Sequence, residues 1–429
     1  MLTVERTNFV KDGKPFFYLA DTCWSAFTNI TLDEWNYYLD FRAAQGFNAV
    51  QINILRQWDA SGSDLGYEPF PVTHEGNQYN YDFSQLNEEY FDRADLMLQM
   101  VRDHDMIPAL VLLWANYVPG TWASALALNN QIPYKDIGQY ASYVTKRFKK
   151  FQPIYFVSGD ADFPTDETVR YYSKAFKVVK ENDPSAIYSF HIKGRFIDLP
   201  EEFLNSVDFF SYQSGHNLDG QATAYQIPVQ LREKGFAGPI VNAEPCYENI
   251  SYSRNKYGRY SARDVRKASW SSILSGADAG LTYGAHGIWS WHRHGQSFGI
   301  VEGEGFLTPF DWRDALHFKG ANDISFLKET VSSLFEGSEI IPVSQNVNDE
   351  PSIRVASNRE KALFVIYVPT NATLKLNNLG IDSAHYCAQS VDLQTRQISN
   401  LSFKDESVLN MSRAEADSLI ILSKIKEVN

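Results

Sequence analysis

Two carboxylates stand where apolar runs give way to polar chain. Asp160 follows Pro153-Ile-Tyr-Phe-Val through Ser158 and Gly159, and Glu244 lies within Val241-Asn-Ala-Glu-Pro. A facing pair of this kind divides acid and base work. One carboxyl protonates a leaving oxygen while the other attacks carbon or activates water, which is what cleavage of a glycosidic bond requires. Small residues before Asp160 let a substrate approach the backbone, and Pro245 keeps its predecessor extended. Asp162 and Glu248 are near enough in sequence to exchange roles with the pair. Asp160 also has the type of a helix N-cap, although Thr165 and Asp166 sit closer to the next helix. A carboxyl separation of ~5–5.5 Å would imply retention of configuration, and ~6.5–9.5 Å inversion.

Other polar and aromatic residues follow the same positional rule, standing at or just after the end of an apolar run. They are Asp21 and Trp24, Gln51 and Asn53, Trp114 and Asn116, His191, and Gln213 with His216. Glu248 extends the Glu244 segment, and Tyr283, His286, Trp289 and Trp291 close the series. These are the candidate substrate-binding residues, with Asp21 read as an orienting group rather than an acid. His292 and His294 flank Arg293, but His-x-His alone is weak evidence for a metal. No metal site and no cofactor is expected.

The elements that must carry these residues are eight short apolar runs alternating with helical stretches. The runs are 16–20, 47–55, 106–114, 153–157, 186–191, 207–212, 239–242 and 280–283. Near-continuous apolar runs separated by helices imply a buried parallel sheet. Thr31 and Glu34 have capping-box spacing, Trp35, Tyr38 and Leu39 share one helical face, and Gly46 supplies a left-handed stop. Further helices read at 86–102, 137–151, 168–181, 223–234 and 262–274. Eight such units predict an α/β fold, a (β/α)₈ TIM barrel, whose active site lies at the C-terminal strand ends. Strands 4 and 7, which would carry Asp160 and Glu244, then face one another across the mouth. No G-x-G-x-x-G or P-loop supports the alternative, a doubly wound open sheet.

After Gly337 short strands at 352–356, 362–367, 384–390 and 418–422 alternate with polar turns. The expected division is a barrel over 1–337 and a small all-β sandwich over 338–429. The segment 56–84 carries Trp58, Asp59, Tyr67, Phe70, His74, Tyr79 and Tyr81, and reads as a wall of the substrate cleft.

The net charge of −13 argues against nucleic acid, which demands clustered cations. An aromatic content of 14% suits a site that stacks on sugar rings. Three widely spaced cysteines give neither zinc spacing nor a disulfide framework. No apolar run of ~20 residues and no signal-peptide core is present, so no membrane partner is expected. As given, the sequence reads as cytoplasmic, or secreted if a leader has been removed. It does not indicate an oligomeric state.

With these residues placed, the sequence resembles the apiosidase-like glycoside hydrolases. The resemblance is carried by Phe17-Tyr-Leu-Ala-Asp-Thr-Cys-Trp24, the stretch 38–51, and Asn87-Glu-Glu-Tyr-Phe-Asp92. Gln213-Ser-Gly-His216, Glu244-Pro-Cys-Tyr-Glu248 and Thr282-Tyr-Gly-Ala-His-Gly-Ile-Trp289 complete it. It implies a (β/α)₈ domain with a C-terminal β-sandwich. It further implies an acid/base Asp in a Gly-Gly-Asp motif and a partner in the first Glu of Glu-Pro-x-Tyr-Glu, positions matched by Asp160 and Glu244. Family activity on apiose-containing pectin side chains points to a plant cell-wall glycan as substrate. Two departures are Ser158 at the first Gly of that motif and Asp392-Leu-Gln-Thr in place of an Asp-Pro-rich turn. Two further readings of the residues are a non-catalytic carbohydrate-binding barrel and a metal-dependent barrel using Asp160, Asp162, His191 and Glu244.

Overall fold

The computed structural model describes residues 1–75, 78–127, 130–299 and 305–425. Its centre is an eight-stranded parallel sheet built from β1 (Tyr18–Thr22), β2 (Ala49–Asn53), β3 (Ile107–Trp114) and β4 (Ile154–Gly159), followed by β5 (Ile187–Ser189), β6 (Phe210–Tyr212), β7 (Ile240–Asn242) and β8 (Gly280–Tyr283). Strand order is β5-β4-β3-β2-β1-β8-β7-β6. Each of these strands is buried along its whole length, which is why the sequence shows continuous rather than alternating apolar runs.

The remaining seam, between β5 and β6, is closed by one main-chain bond, from Asp208 N to Tyr188 O at 3.0 Å, and by side chains. Ser189 Oγ donates to Phe209 O at 2.8 Å, Ser211 Oγ donates to Phe190 O at 2.7 Å, and Asp208 accepts from Tyr188 N at 2.8 Å. Hydroxyls thus replace part of a backbone ladder, and the sheet forms a (β/α)₈ barrel.

The helix after β1, α1 (Leu32–Ala44), has the predicted capping box. Glu34 N donates to Thr31 Oγ1, Thr31 N donates back to Glu34 Oε2, and Gly46 follows with φ 85°. Long helices follow at Glu88–Asp103, Tyr134–Phe148, Asp166–Asn182, Thr223–Glu233, Ala262–Ile273 and Lys319–Phe335, with a single turn at Glu201–Leu204 after β5. The last of these and the single turn have no counterpart in the sequence reading.

Beyond the barrel lies a small β domain. An antiparallel six-stranded sheet includes Arg354–Ser357, Leu363–Val368, Tyr386–Asp392 and Ser418–Lys424, and a three-stranded sheet faces it. Val355, Phe364, Ile366, Ile420 and Leu422 form its own core. The opposite face of the larger sheet, with Val365, Tyr367 and Leu419, joins the barrel core. There Arg266 is buried between Asp417 (Nη2, 2.7 Å) and Asp323 (Nη1, 2.8 Å), a charged fork that ties the β domain to the barrel. In the turn at Asp392, its carboxylate accepts from Gln394 N and Thr395 N, closing the turn without proline. Among the described residues no helix is long and apolar enough to cross a membrane.

Candidate active site

A cleft of about 710 Å³ opens at the C-terminal ends of the strands. Of the residues selected from the sequence it is lined by Asp160, Glu244, Trp24, Trp114, Gln213, His216 and Trp289.

Glu244 sits on its floor, 7% exposed. His216 Nε2 is 2.9 Å from Oε1 and His191 Nε2 is 3.3 Å from Oε2. The outer nitrogens define the tautomers. His191 Nδ1 accepts from Asp160 N at 3.2 Å and His216 Nδ1 accepts from Tyr247 N at 3.4 Å. A neutral imidazole whose Nδ1 accepts must carry its proton on Nε2, so both rings turn N–H toward Glu244. Burial pushes the Glu244 carboxyl up, but the two imidazoles outweigh it and pull the pKa down to about 2. The folded-state value lies below the unfolded one. This contribution to stability is therefore complete above the ordinary Glu range and is lost as pH falls through about 2.

Asp160 follows β4 with φ 53°, a left-handed backbone that Asp tolerates better than most residues. Contacts to both its main chain and its side chain hold it there. Its N–H donates to His191, Trp122 Nε1 donates to its carbonyl at 2.9 Å, and Gln213 Nε2 donates to Oδ1 at 2.7 Å. Gly159 is required because a Cβ there would lie 2.3 Å from Trp114 Cε3. Ser158, where the family motif has glycine, donates to His191 O at 2.9 Å and does not line the cleft. Asp162 is tied to Lys193 Nζ at 3.3 Å and to Trp122 N at 3.4 Å, and it is absent from the lining.

Aromatic rings form the walls. Trp24 meets Trp114 edge-on at 5.0 Å and His191 at 5.4 Å, and its Nε1 donates to Tyr247 Oη at 3.1 Å.

The other selected residues lie behind this surface. Asp21 is fully buried, accepting from Arg42 Nε at 2.6 Å and Tyr38 Oη at 2.8 Å. Gln51 donates to Thr282 Oγ1 inside the barrel, and Asn53 donates to Gln57, which does line the cleft. Trp291 stacks on Trp312 at 4.5 Å. His286 is buried behind Trp289. Glu248 accepts from Tyr283 Oη at 2.6 Å and Gly320 N at 2.8 Å, with burial holding its carboxyl above the ordinary range. Tyr283→Phe removes one of those donors from a buried carboxyl. It is expected to cost about 1–3 kcal/mol in chemical denaturation while leaving kcat within a few-fold.

Sequence reasoning missed Trp122, Lys193, Arg195, Asn217 and Tyr247, all of which line the cleft. Lys193 and Arg195 stand two and four residues beyond the fifth run, past His191, the residue selected there. From the segment 56–84, Gln57 and Asp59 reach the cleft. Its aromatics are largely anchors instead. Phe70 packs on Phe83 and Tyr81, and Tyr67 lies under Arg93 at 4.0 Å. The side chains of His74 and Tyr79 lie outside the described ones. Among the described residues no three His, Cys, Asp or Glu side chains converge as metal ligands do.

The sequence matches the family described as Apiosidase-like, catalytic domain, over residues 5–336. No curated protein matches it. Among solved structures, one described as a glycoside hydrolase is 18% identical, covering 98% of this chain and 96% of its own, with a TM-score of 0.76. A family 5 glycoside hydrolase from Bacteroides vulgatus is 19% identical, covering 100% and 95%, with a TM-score of 0.78. A third, named a putative glycoside hydrolase from the same organism, is 14% identical, covering 99% and 82%, with a TM-score of 0.67. These likenesses show a shared fold, and the family match spans most of the barrel. The chain thus belongs to the apiosidase-like catalytic-domain family and is a glycoside hydrolase.

Proposed function

We propose that Asp160 and Glu244 are the two carboxylates of hydrolysis, with Glu244 as nucleophile or base and Asp160 as general acid/base. The observation that carries this reading is Glu244 itself: a buried carboxylate on the cleft floor, kept ionised by two imidazole N–H groups. An ionised carboxylate suits attack at an anomeric carbon or removal of a proton from water, and cannot donate one. The proton for the leaving oxygen must come from another group, and Asp160 is the second strand-end acid of the same cleft. Asp162, committed to Lys193, is less well placed for that role.

The substrate we propose is a plant cell-wall glycan. Trp122 is partly exposed on the cleft wall and the buried Trp24, Trp114 and Trp289 present edges to it, apolar contact of the kind sugar rings make. Lys193 and Arg195 bring positive charge to one side of the cleft of a chain whose net charge is −13. Among the described residues Arg195 makes no ion pair, and guanidinium matches a carboxylate bidentately. Arg195→Ala is therefore expected to raise KM about 10-fold for a uronate-containing oligosaccharide and to leave a neutral one unchanged. Initial rates on the two substrates check this.

The reading as a whole is tested by incubating the protein with a panel of cell-wall oligosaccharides and resolving products by mass spectrometry. Shortened glycans are the expected result. Binding without any product would overturn it.

A further inference from the structure

His286 is fully buried in an aromatic box, with Phe298 edge-on at 5.6 Å and Phe306 at 6.4 Å. An apolar side chain would fill such a box without the cost of desolvating an imidazole. Every polar group of His286 is nonetheless used. Its Nδ1 accepts from Trp289 Nε1 at 3.2 Å, and its Nε2 donates to Leu307 O at 2.8 Å. Its main-chain N–H donates to Glu248 O at 2.9 Å, and its carbonyl accepts from Phe310 N at 3.1 Å. The two side-chain bonds end on the cleft wall or next to it. Trp289 and Phe306 line the cleft, and Leu307 follows Phe306 directly.

We infer that His286 is a positioning residue for substrate recognition, which sets the angle of the Trp289 indole and its distance from the Phe306–Leu307 wall. This rests on the glycan-hydrolase reading of the cleft and adds a residue that touches no substrate. An indole has one polar atom, and a bond at that atom fixes rotation about the axis along which the ring would otherwise rock. The same imidazole holds the neighbouring wall, so the two surfaces that embrace a sugar ring are set against each other through one rigid five-membered ring. The arrangement needs the neutral tautomer with Nδ1 as acceptor. Burial favours that form, together with the nearby Arg259 guanidinium, and outweighs the Leu307 carbonyl, which favours the cation.

Three substitutions separate positioning from bulk packing. His286→Phe keeps a buried ring and loses both bonds. His286→Asn offers an acceptor near the Nδ1 position for Trp289, and His286→Gln a donor near Nε2 for Leu307. The expected result for His286→Phe is a KM about 10-fold higher with kcat within about 3-fold of wild type. His286→Asn should restore most of the KM and His286→Gln much less. The Trp289 fluorescence signal, taken as the difference between each protein and its Trp289→Phe counterpart, should become more accessible to acrylamide in His286→Phe and His286→Gln than in His286→Asn. Unchanged KM together with unchanged quenching would overturn the inference. So would a fall in kcat alone, which would place His286 in the chemistry. If His286→Phe does not fold, the ranking of Asn over Gln decides, and equal behaviour of the two overturns the inference. The quenching comparison needs no substrate, so it stands apart from any failure to find a glycan that the enzyme cleaves.

Discussion

Glu244→Gln should lower kcat by about 10⁴-fold or more, ~5.5 kcal/mol at 1.36 kcal/mol per tenfold, while the protein stays folded. The substitution keeps shape and volume, so Trp24, Trp114 and Tyr247 retain their packing. What it removes is the negative charge that both imidazoles face. The amide oxygen can accept from only one of His216 and His191, and the amide NH₂ is left opposed to an N–H donor on the other side. That ring must then change tautomer or turn away, so a modest loss of thermal stability accompanies the loss of rate. The wild-type pH profile carries a linked expectation. With its pKa at about 2, Glu244 is ionised throughout the range in which the protein is folded and assayed, so it should not generate an acid-side limb above about pH 4. A limb in that range would report another group. Circular dichroism and initial rates on one preparation separate loss of chemistry from loss of fold.

Asp160→Asn is expected to cost about 10³-fold with a natural glycan, whose leaving alkoxide needs a proton. With an activated aryl glycoside, whose leaving group departs as a stable anion, the penalty should shrink to about 10-fold or less. Glu244→Gln should be equally inactive on both substrates, because no leaving group substitutes for the attacking or water-activating carboxylate. Asp162→Asn should reduce rates by less than about 5-fold, since it releases Lys193 and a loop contact to Trp122 and removes no group that lines the cleft. Should Asp162→Asn show the leaving-group dependence instead, the two acids exchange roles.

The barrel was legible because its determinants are local and repeated. Buried parallel strands leave continuous apolar runs, and the capping box at Thr31 and Glu34 marks a helix start within four residues of chain. Glu244 was legible through its place after the seventh run. The Asp21, Gln51, Glu248 and Tyr283 side chains obey the same positional rule and yet face the interior. Their partners are Arg42, Thr282 and Gly320, residues distant in sequence that reach them only in the folded barrel. Position along a strand gives the height of a side chain within the barrel, not whether a neighbour covers it. The two histidines were placed near the site from sequence, but their joint hold on Glu244 depends on which ring nitrogen is already engaged, and that is set by the backbone N–H groups of Asp160 and Tyr247. The aromatics of segment 56–84 misled for a similar reason. A long loop needs its own small core to stay ordered, and Phe70, Tyr81 and Phe83 supply it.

The most direct test of the carboxylate pair is the release of new reducing ends from one cleaved cell-wall oligosaccharide by wild type, Asp160→Asn and Glu244→Gln, at equal concentration and with folding verified for each. Rapid release by the wild type and losses of about 10³-fold and 10⁴-fold in the two variants are predicted. Release at wild-type rates by either variant would contradict the assignment of that residue, and release at wild-type rates by both would place the chemistry elsewhere in the cleft.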